Sequence, residues 1–149
     1  MSSNDIHCLP AGLPIPVAES DGLSRPFWEG LKNEVLLLQV CGHCNGWQWG
    51  PEWLCHRCRS FDMRWQEVAP AGRIYTIERV WHPVLPALKT AVPYLIALVE
   101  LPAAGYVRVI GNLIGDPMQE AAIGTPVRGV FEHHRNGDRT WSLLQWAVA

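Results

Sequence analysis

The stretch CGHCNGWQWGPEWLCHRC, residues 41–58, contains two Cys-x-x-Cys pairs separated by ten residues. A Cys-x-x-Cys turn offers two thiolates on one side, and two such turns complete the tetrahedral set of four that Zn²⁺ prefers, at about 2.3 Å each. Asn45-Gly46 and Gly50-Pro51 supply bends that let one pair face the other. The predicted metal ligands are therefore Cys41, Cys44, Cys55 and Cys58.

The same cysteines have other interpretations. Disulfides within each pair would be strained and are disfavoured in a reducing compartment, and a thioredoxin-type dithiol needs only one pair. An iron centre of the rubredoxin type uses the same four ligands and stays open as an alternative. Structural zinc is the prediction, because four thiolates fill the coordination shell and leave no position for a catalytic water. Cys8, far from the pairs, is interpreted as an ordinary free thiol.

Composition narrows the class of protein. The 149 residues are 48% hydrophobic and 17% charged, which suits one compact domain or two small ones with a real core. A formal charge of −2 and a pI of about 6.3 argue against nucleic acid as a partner. No signal-peptide pattern is present, and the longest apolar region, 92–114, contains two prolines, a glutamate and an arginine. We predict a globular, cytoplasmic protein that has no membrane partner.

The residues before the cysteine stretch divide into an arm, a helix and a strand. Residues 1–22 are rich in Pro, Gly, Ser and Asp and predict a flexible arm that is ordered only if something holds it. SRPFWEGLK, residues 24–32, predicts a short helix. Its Phe27 and Trp28 are either core or docking residues, and docking is the favoured interpretation. EVLLLQVC, residues 34–41, is a continuous apolar run and predicts a strand.

After Trp65 the chain becomes a series of β-like runs separated by turn signals. RNGD, residues 135–138, is a strong hairpin signal, and GDPMQEAAIG, residues 115–124, predicts a short helix between the third and fourth runs. Five strands with one helix in that place is the element order of an OB-fold barrel. The five runs are residues 72–82, 93–101, 106–115, 126–134 and 140–148.

Together these elements predict a mainly β fold, with a short N-terminal helix and a four-cysteine zinc site followed by a five-stranded barrel; its element order is that of the OB-fold, which other small barrels can also produce. The predicted divisions are a flexible arm at 1–22, the helix and zinc ribbon at 23–66, and the OB-fold at 67–149.

Several stretches of the sequence resemble one family, the domain of unknown function 35 family. They are PFWEGLK, the four-cysteine ribbon, MRWQEV, GRIYTIERVWHP, VPYLIALVEL, RVIGNLIG and AAIGTPVRGVFE, and they cover about residues 24–148. The resemblance implies a rubredoxin-like zinc ribbon that precedes an OB-fold. The sequence differs from common ribbons at Asn45 and Arg59, which follow the two cysteine pairs where glycine is frequent.

The resemblance also implies a role. Such proteins are similar to small subunits found with thiolase-superfamily enzymes: acetoacetyl-CoA thiolases, hydroxymethylglutaryl-CoA synthases, acyltransferases and the retro-aldolases of steroid side-chain breakdown. The large partner carries the catalytic groups, and the small subunit helps to form the acyl-CoA site. We therefore expect a non-catalytic accessory subunit in a hetero-oligomer, serving thiolytic or aldol-type carbon–carbon bond cleavage or formation.

The residues themselves fit an accessory role. The sequence contains no Gly-x-Ser-x-Gly elbow, no phosphate-binding glycine loop and no His-Glu-x-x-His motif. A long, Pro-rich connection at residues 80–94 contains Trp81, His82 and Lys89, the candidates for contact with the CoA moiety. The alternative interpretation places Trp81 in the barrel core and leaves Lys89 as a solvated charge.

Other aromatic and histidine residues leave choices open. The eight tryptophans exceed what a small protein buries deeply, which favours interfaces. Trp47, Trp49 and Trp53 either seal the ribbon against the barrel or dock a partner, and His133 and His134 are interpreted as surface residues. Two other functions stay as alternatives: an OB-fold single-stranded nucleic-acid-binding protein with structural zinc, and a rubredoxin-like iron electron carrier.

Overall fold

The computed structural model of the chain describes Cys8, Val17 and residues 22–149. The predicted flexible arm at 1–22 therefore falls almost wholly outside the described residues. Within them, the predicted fold class is confirmed: the chain is mainly β, with one short helix, a four-cysteine region and a closed five-stranded barrel. In chain order the elements are α1 (Arg25–Lys32), β1 (Leu36–Cys41), β2 (Trp47–Gln48), β3 (Met63–Val68), β4 (Ala71–Val80), β5 (Tyr94–Leu101), β6 (Val107–Leu113), β7 (Pro126–Asn136) and β8 (Arg139–Val148).

Helix α1 begins after Ser24, with a proline in its first turn, and packs against β1 and β8. The Ser24 hydroxyl oxygen accepts a hydrogen bond from Trp28 Nε1 at 3.2 Å. Phe27 and Leu31 are fully covered and belong to the hydrophobic core. The interpretation of Phe27 as a docking residue is therefore wrong, because its ring packs inside the molecule between the helix and the sheets. Trp28 stays half-buried at the edge of the same cluster.

The four-cysteine region is built on a three-stranded antiparallel sheet in the order β2-β1-β3. The apolar run that predicted β1 places it in the centre, where Leu36 and Leu38 are buried. β3 pairs with β1 over its whole length, from Leu36 opposite Val68 to Cys41 opposite Met63. Two residues separate the end of β3 from the start of β4. The division of the chain into folding units near this point stays a prediction.

The second sheet closes into a barrel with the strand order β4-β5-β6-β8-β7. All of its pairs are antiparallel except β6 with β8, and β7 returns to pair with β4. β5 shows the alternation expected of a barrel strand, because every second side chain along it is fully buried inside. Those buried residues are Leu95, Ala97, Val99 and Leu101.

β7 and β8 form the long hairpin that RNGD predicted, with Asn136 opposite Arg139 and Gly137 at a positive φ of 61°. β8 is buried on both of its faces. Leu144 and Trp146 point into the core, and the residues between them point to the opposite side of the hairpin. We call that opposite side the outer face of β7–β8; it carries Val130, Glu132, His134, Trp141 and Gln145.

The short helix predicted at residues 115–124 is not formed, and this segment is irregular. Asp116 instead makes a turn, in which its carboxylate accepts the N–H of Met118 at 2.8 Å. Arg79 on β4 donates to the carbonyl oxygens of Pro117 and Gln119, at 2.9 and 2.7 Å. A short helix is marginal by itself, and here a guanidinium from another strand holds the carbonyl groups that a helix would use internally.

No helix among the described residues has the length and the apolar character that crossing a membrane would require.

Candidate functional site

The two Cys-x-x-Cys turns, or knuckles, have matching backbone geometry. In the first, the N–H of Asn45 donates to the carbonyl of Cys41 at 2.9 Å; in the second, the N–H of Arg59 donates to the carbonyl of Cys55 at 2.9 Å. Asn45 and Arg59 both adopt a positive φ, 56° and 62°. Both knuckles therefore form their turn although Asn45 and Arg59 occupy the left-handed backbone conformation that favours glycine.

The knuckles bring the four thiols together. The Sγ atoms of Cys41, Cys44, Cys55 and Cys58 all lie within 4.8 Å of one another. Across the knuckles, Cys41 lies 3.6 Å from Cys58 and Cys44 lies 3.6 Å from Cys55. A tetrahedral zinc ion with Zn–S bonds of about 2.3 Å has sulfur–sulfur edges of about 3.8 Å. The four predicted ligands thus form a cluster that could hold one metal ion.

Backbone N–H groups point at the two buried sulfurs. The N–H groups of His43 and Cys44 lie 3.4 and 3.5 Å from Cys41 Sγ, and the N–H of Arg57 lies 3.4 Å from Cys55 Sγ. The N–H of Cys44 is the main cause that lowers the pKa of Cys41, and the N–H of Cys58 is the main cause that lowers the pKa of Cys55 to about 6. Both effects favour the thiolate, which is the form that binds metal.

A pair of buried glutamines supports the loop between the knuckles. Gln48 Nε2 donates to Gln39 Oε1 at 3.2 Å, and that oxygen also accepts the N–H of Glu52 at 2.9 Å. Gln48 Oε1 lies 3.1 Å from the N–H of His56 and 3.0 Å from its ring Nδ1. The ring of His56 is therefore part of the support for the second knuckle.

The three tryptophans of this region have different surroundings. Trp47 and Trp49 pack against the hydrophobic core, and the ring of Trp49 lies 4.2 Å from that of Phe27. Trp53 is 66% exposed. Of the two interpretations left open by the sequence, sealing the ribbon therefore applies to Trp47 and Trp49, and docking stays a prediction for Trp53.

Trp81, His82 and Lys89 lie on the connection between β4 and β5, and all three are exposed. The alternative that Trp81 fills the barrel core is wrong, because its side chain is 52% exposed. Val84 and Leu85 on the same connection are also exposed. The contact of Trp81, His82 and Lys89 with CoA stays a prediction.

A buried polar cluster on the outer face of β7–β8 was not predicted. Glu132 is 1% exposed, and its Oε1 lies 2.6 Å from His134 Nε2. Gln145 Nε2 donates to Glu132 Oε2 at 2.9 Å, and the backbone N–H of Cys8 donates to the same oxygen at 3.1 Å. The interpretation of His134 as a surface residue is wrong: it is 7% exposed and stacks on Trp141. Strand alternation places Glu132 and His134 on one face, but no local pattern indicates that this face is covered.

Comparison with known proteins places the barrel region in a described family. Residues 65–132 match the family described as the C-terminal OB-fold domain of ChsH2. Over 115 residues the chain is 36% identical to a probable enoyl-CoA hydratase alpha subunit of Thermomonospora curvata, covering 76% of this chain and 34% of that protein. It is 28% identical over 148 residues to the 3-oxo-4,17-pregnadiene-20-carboxyl-CoA hydratase alpha subunit of Mycobacterium tuberculosis, covering 92% of this chain and 45% of that protein. The chain thus spans less than half the length of these relatives.

Solved structures also match most of the chain. A chain of the Ltp2–ChsH2(DUF35) aldolase matches with a TM-score of 0.71 and 29% identity, covering 90% of this chain and 98% of that one. A protein of the DUF35 family from Sulfolobus solfataricus matches with a TM-score of 0.60 over 87% of each chain; at 16% identity it shows the shared fold alone. The related proteins with assigned activities carry the names of subunits or complexes of enzymes.

Proposed function

Since this chain belongs to the domain of unknown function 35 family, we propose that it is a non-catalytic subunit of an enzyme complex that acts on acyl-CoA substrates. One observation carries the proposal: 90% of the chain matches nearly the whole ChsH2 chain of an aldolase that is named for two components. A relative that is named for a CoA thioester substrate supports the substrate class.

The chemistry of the cysteine cluster supports a structural role for the metal. Four thiolates would fill the shell of a zinc ion, so that no position is left for a substrate or a water. When bound, Zn²⁺ would cross-link the two knuckles, and Cys41, Cys44, Cys55 and Cys58 would hold it. The reactive groups of the complex are then expected on another polypeptide.

The buried Glu132–His134 pair is a poor candidate for catalysis. Both oxygens of the carboxylate already accept hydrogen bonds, from His134 on one side and from Gln145 and Cys8 on the other. Both residues are more than nine-tenths buried, so a substrate has no direct access to them. This arrangement supports a stabilising function for the pair.

We propose a thiolase-superfamily protein as the partner, for thiolytic or aldol-type chemistry on the acyl-CoA. The full-length chain, purified from its native cell under mild salt, is expected to bring down a partner that mass measurement identifies as thiolase-like. Trp53→Ala should weaken this association, because Trp53 is exposed. The control is Trp65→Ala, which also removes one tryptophan but at a half-buried position on β3, and it should weaken the association less. Recovery of nucleic acid, or of the chain alone, would contradict the proposal.

The CoA contact can be tested within that complex. Lys89 is exposed on the β4–β5 connection, where its ammonium group can pair with a phosphate. Lys89→Gln should raise the Kd for CoA by about tenfold, in line with the loss of one charge-assisted hydrogen bond. The matched control is Lys32→Gln, because Lys32 lies on α1 and pairs with Glu29 at 2.9 Å. Equal affinities for the two variants would exclude Lys89 from the CoA site.

A further inference from the structure

The outer face of β7–β8 carries a carboxylate in an unusual position. Glu132 is fully buried although its side chain lies on the face opposite Leu144 and Trp146, outside the barrel core. A buried carboxylate is costly unless hydrogen-bond donors compensate for the lost water. His134 and Gln145 each supply one donor from the same hairpin.

A third donor comes from the other end of the chain. The backbone N–H of Cys8 donates to Glu132 Oε2 at 3.1 Å, across 124 positions of sequence. Gln145 Nε2 in turn lies 3.3 Å from Cys8 Sγ, so that Gln145 contacts both the carboxylate and the thiol. Cys8 is therefore held at two points, its backbone N–H and its sulfur.

The surroundings of Cys8 also disfavour the reactive, deprotonated form of its thiol. Burial, followed by the charge of Glu132, raises the pKa of Cys8 to about 12. A thiolate is the reactive form of cysteine, so this position does not suit a nucleophile or a redox centre. The contacts instead suit a structural attachment, in which the backbone of residue 8 supplies the hydrogen bond and a small side chain fits beside Gln145.

We propose that Glu132, His134 and Gln145 form a docking site for the N-terminal segment of this same chain, residues 1–21, with Cys8 as its anchor. The sequence of this segment predicts that it is ordered only if another part of the molecule holds it, and the carboxylate of Glu132 is what holds it.

The anchor also shapes a cavity. Cys8 lines a cavity of about 330 Å³ together with Tyr94, Leu113 and Ile114. Another part of the cavity wall is formed by the end of the β4–β5 connection, at Ala91 and Pro93. Cys8 thus forms part of the wall of a cavity beside the connection that carries Trp81, His82 and Lys89.

Amide exchange of Cys8 tests the docking directly. In the metal-loaded full-length chain labelled with ¹⁵N-cysteine, the signal of Cys8 is identified by its loss in Cys8→Ala. We expect its N–H to be protected, and Glu132→Gln to lower the protection at least tenfold, because a neutral amide oxygen is a weaker acceptor than a carboxylate and a single oxygen cannot serve the three donors of His134, Gln145 and Cys8. Glu78→Gln, an exposed site on β4, should leave the protection unchanged. An unprotected Cys8 in the unaltered chain, or equal protection in Glu132→Gln, would overturn the proposal.

A second pair of variants covers the case in which Glu132→Gln fails to fold. Cys8→Pro and Cys8→Ala both remove the thiol, but only proline removes the N–H that Glu132 accepts. Cleavage after Glu19 by a glutamyl endopeptidase should be several-fold faster in Cys8→Pro than in Cys8→Ala. Equal cleavage rates would refute the anchor.

Discussion

The barrel and the four-cysteine region are ordered by different means. The barrel closes strand on strand, and Val99, Leu101 and Trp146 are completely removed from water inside it. Between β1 and β3, the knuckle region, residues 42–62, contains only the two-residue strand β2 and consists mainly of turns with exposed side chains. The contacts that connect its turns are the cluster of four thiols and the hydrogen bond between Gln48 and Gln39 of β1. Apolar burial therefore stabilises the barrel, whereas the knuckle region contains a thiol cluster that could hold a metal ion and a few buried polar contacts.

The largest expected effect is that of removing a metal ligand, which should unfold the knuckle region and leave the barrel folded. Cys55→Ser removes one of the four sulfurs, and structural zinc sites contribute about 10–16 kcal/mol in small zinc-dependent folds. We expect loss of the bound metal, one ion per chain, and loss of amide protection at residues 41–60, while residues 94–113 in the barrel stay protected. Metal analysis and hydrogen exchange measure the two outcomes.

Cys8→Ser is the matched control for that experiment, because Cys8 lies outside the thiol cluster. It should keep its metal. Full metal content and an unchanged melting curve in Cys55→Ser would refute the metal centre. The visible spectrum of the unaltered chain distinguishes the two candidate metals, since zinc thiolate is colourless and an iron centre absorbs.

The next effect acts on the barrel alone. Leu101→Ala leaves a hole in a fully buried position on β5, and substitutions of this kind cost about 2–5 kcal/mol. Urea unfolding, followed by the circular dichroism of the strands, should show the loss. Ile110→Ala, at a side chain that is 62% exposed, should change stability by less than about 0.5 kcal/mol. A comparable loss in both variants would mean that burial does not decide the stability of the barrel.

A smaller effect is expected at the glutamine pair. Gln48→Leu leaves the N–H of His56 and the side chain of Gln39 without a partner from residue 48, at a cost of about 1–3 kcal/mol. Hydrogen exchange at His56 should accelerate while barrel amides keep their rates. The control Gln66→Leu, exposed on β3, should leave exchange at His56 unaltered. Faster exchange in the barrel would show that the two regions are not independent.

Local sequence patterns predicted the features of the fold that depend on neighbouring residues in the chain. The ligand cluster was predictable because two short turns bring their own sulfurs together, and the five barrel strands followed from β-like runs separated by turn residues. The segment 115–124 was not predictable, because Arg79 on a distant strand takes its carbonyl groups. The burial of His134 also depends on a distant contact, since the carboxylate to which it is bound is shared with Cys8. Such contacts leave no periodic signal in the sequence.

The smallest expected effect concerns the two knuckle residues that differ from the glycine common in ribbons. Left-handed backbone costs an ordinary L-residue about 1–2 kcal/mol, whereas Asn tolerates it through local hydrogen bonding. Arg59→Gly should therefore stabilise the ribbon by about 0.5–1 kcal/mol, after the entropy that glycine adds to the unfolded chain is subtracted. Asn45→Gly, at nearly the same φ, should gain less. The zinc concentration at half-saturation, measured under a competing chelator, reports both changes. Equal gains would mean that backbone strain does not distinguish the knuckles, and a loss in Arg59→Gly would mean that the arginine side chain itself stabilises the second one.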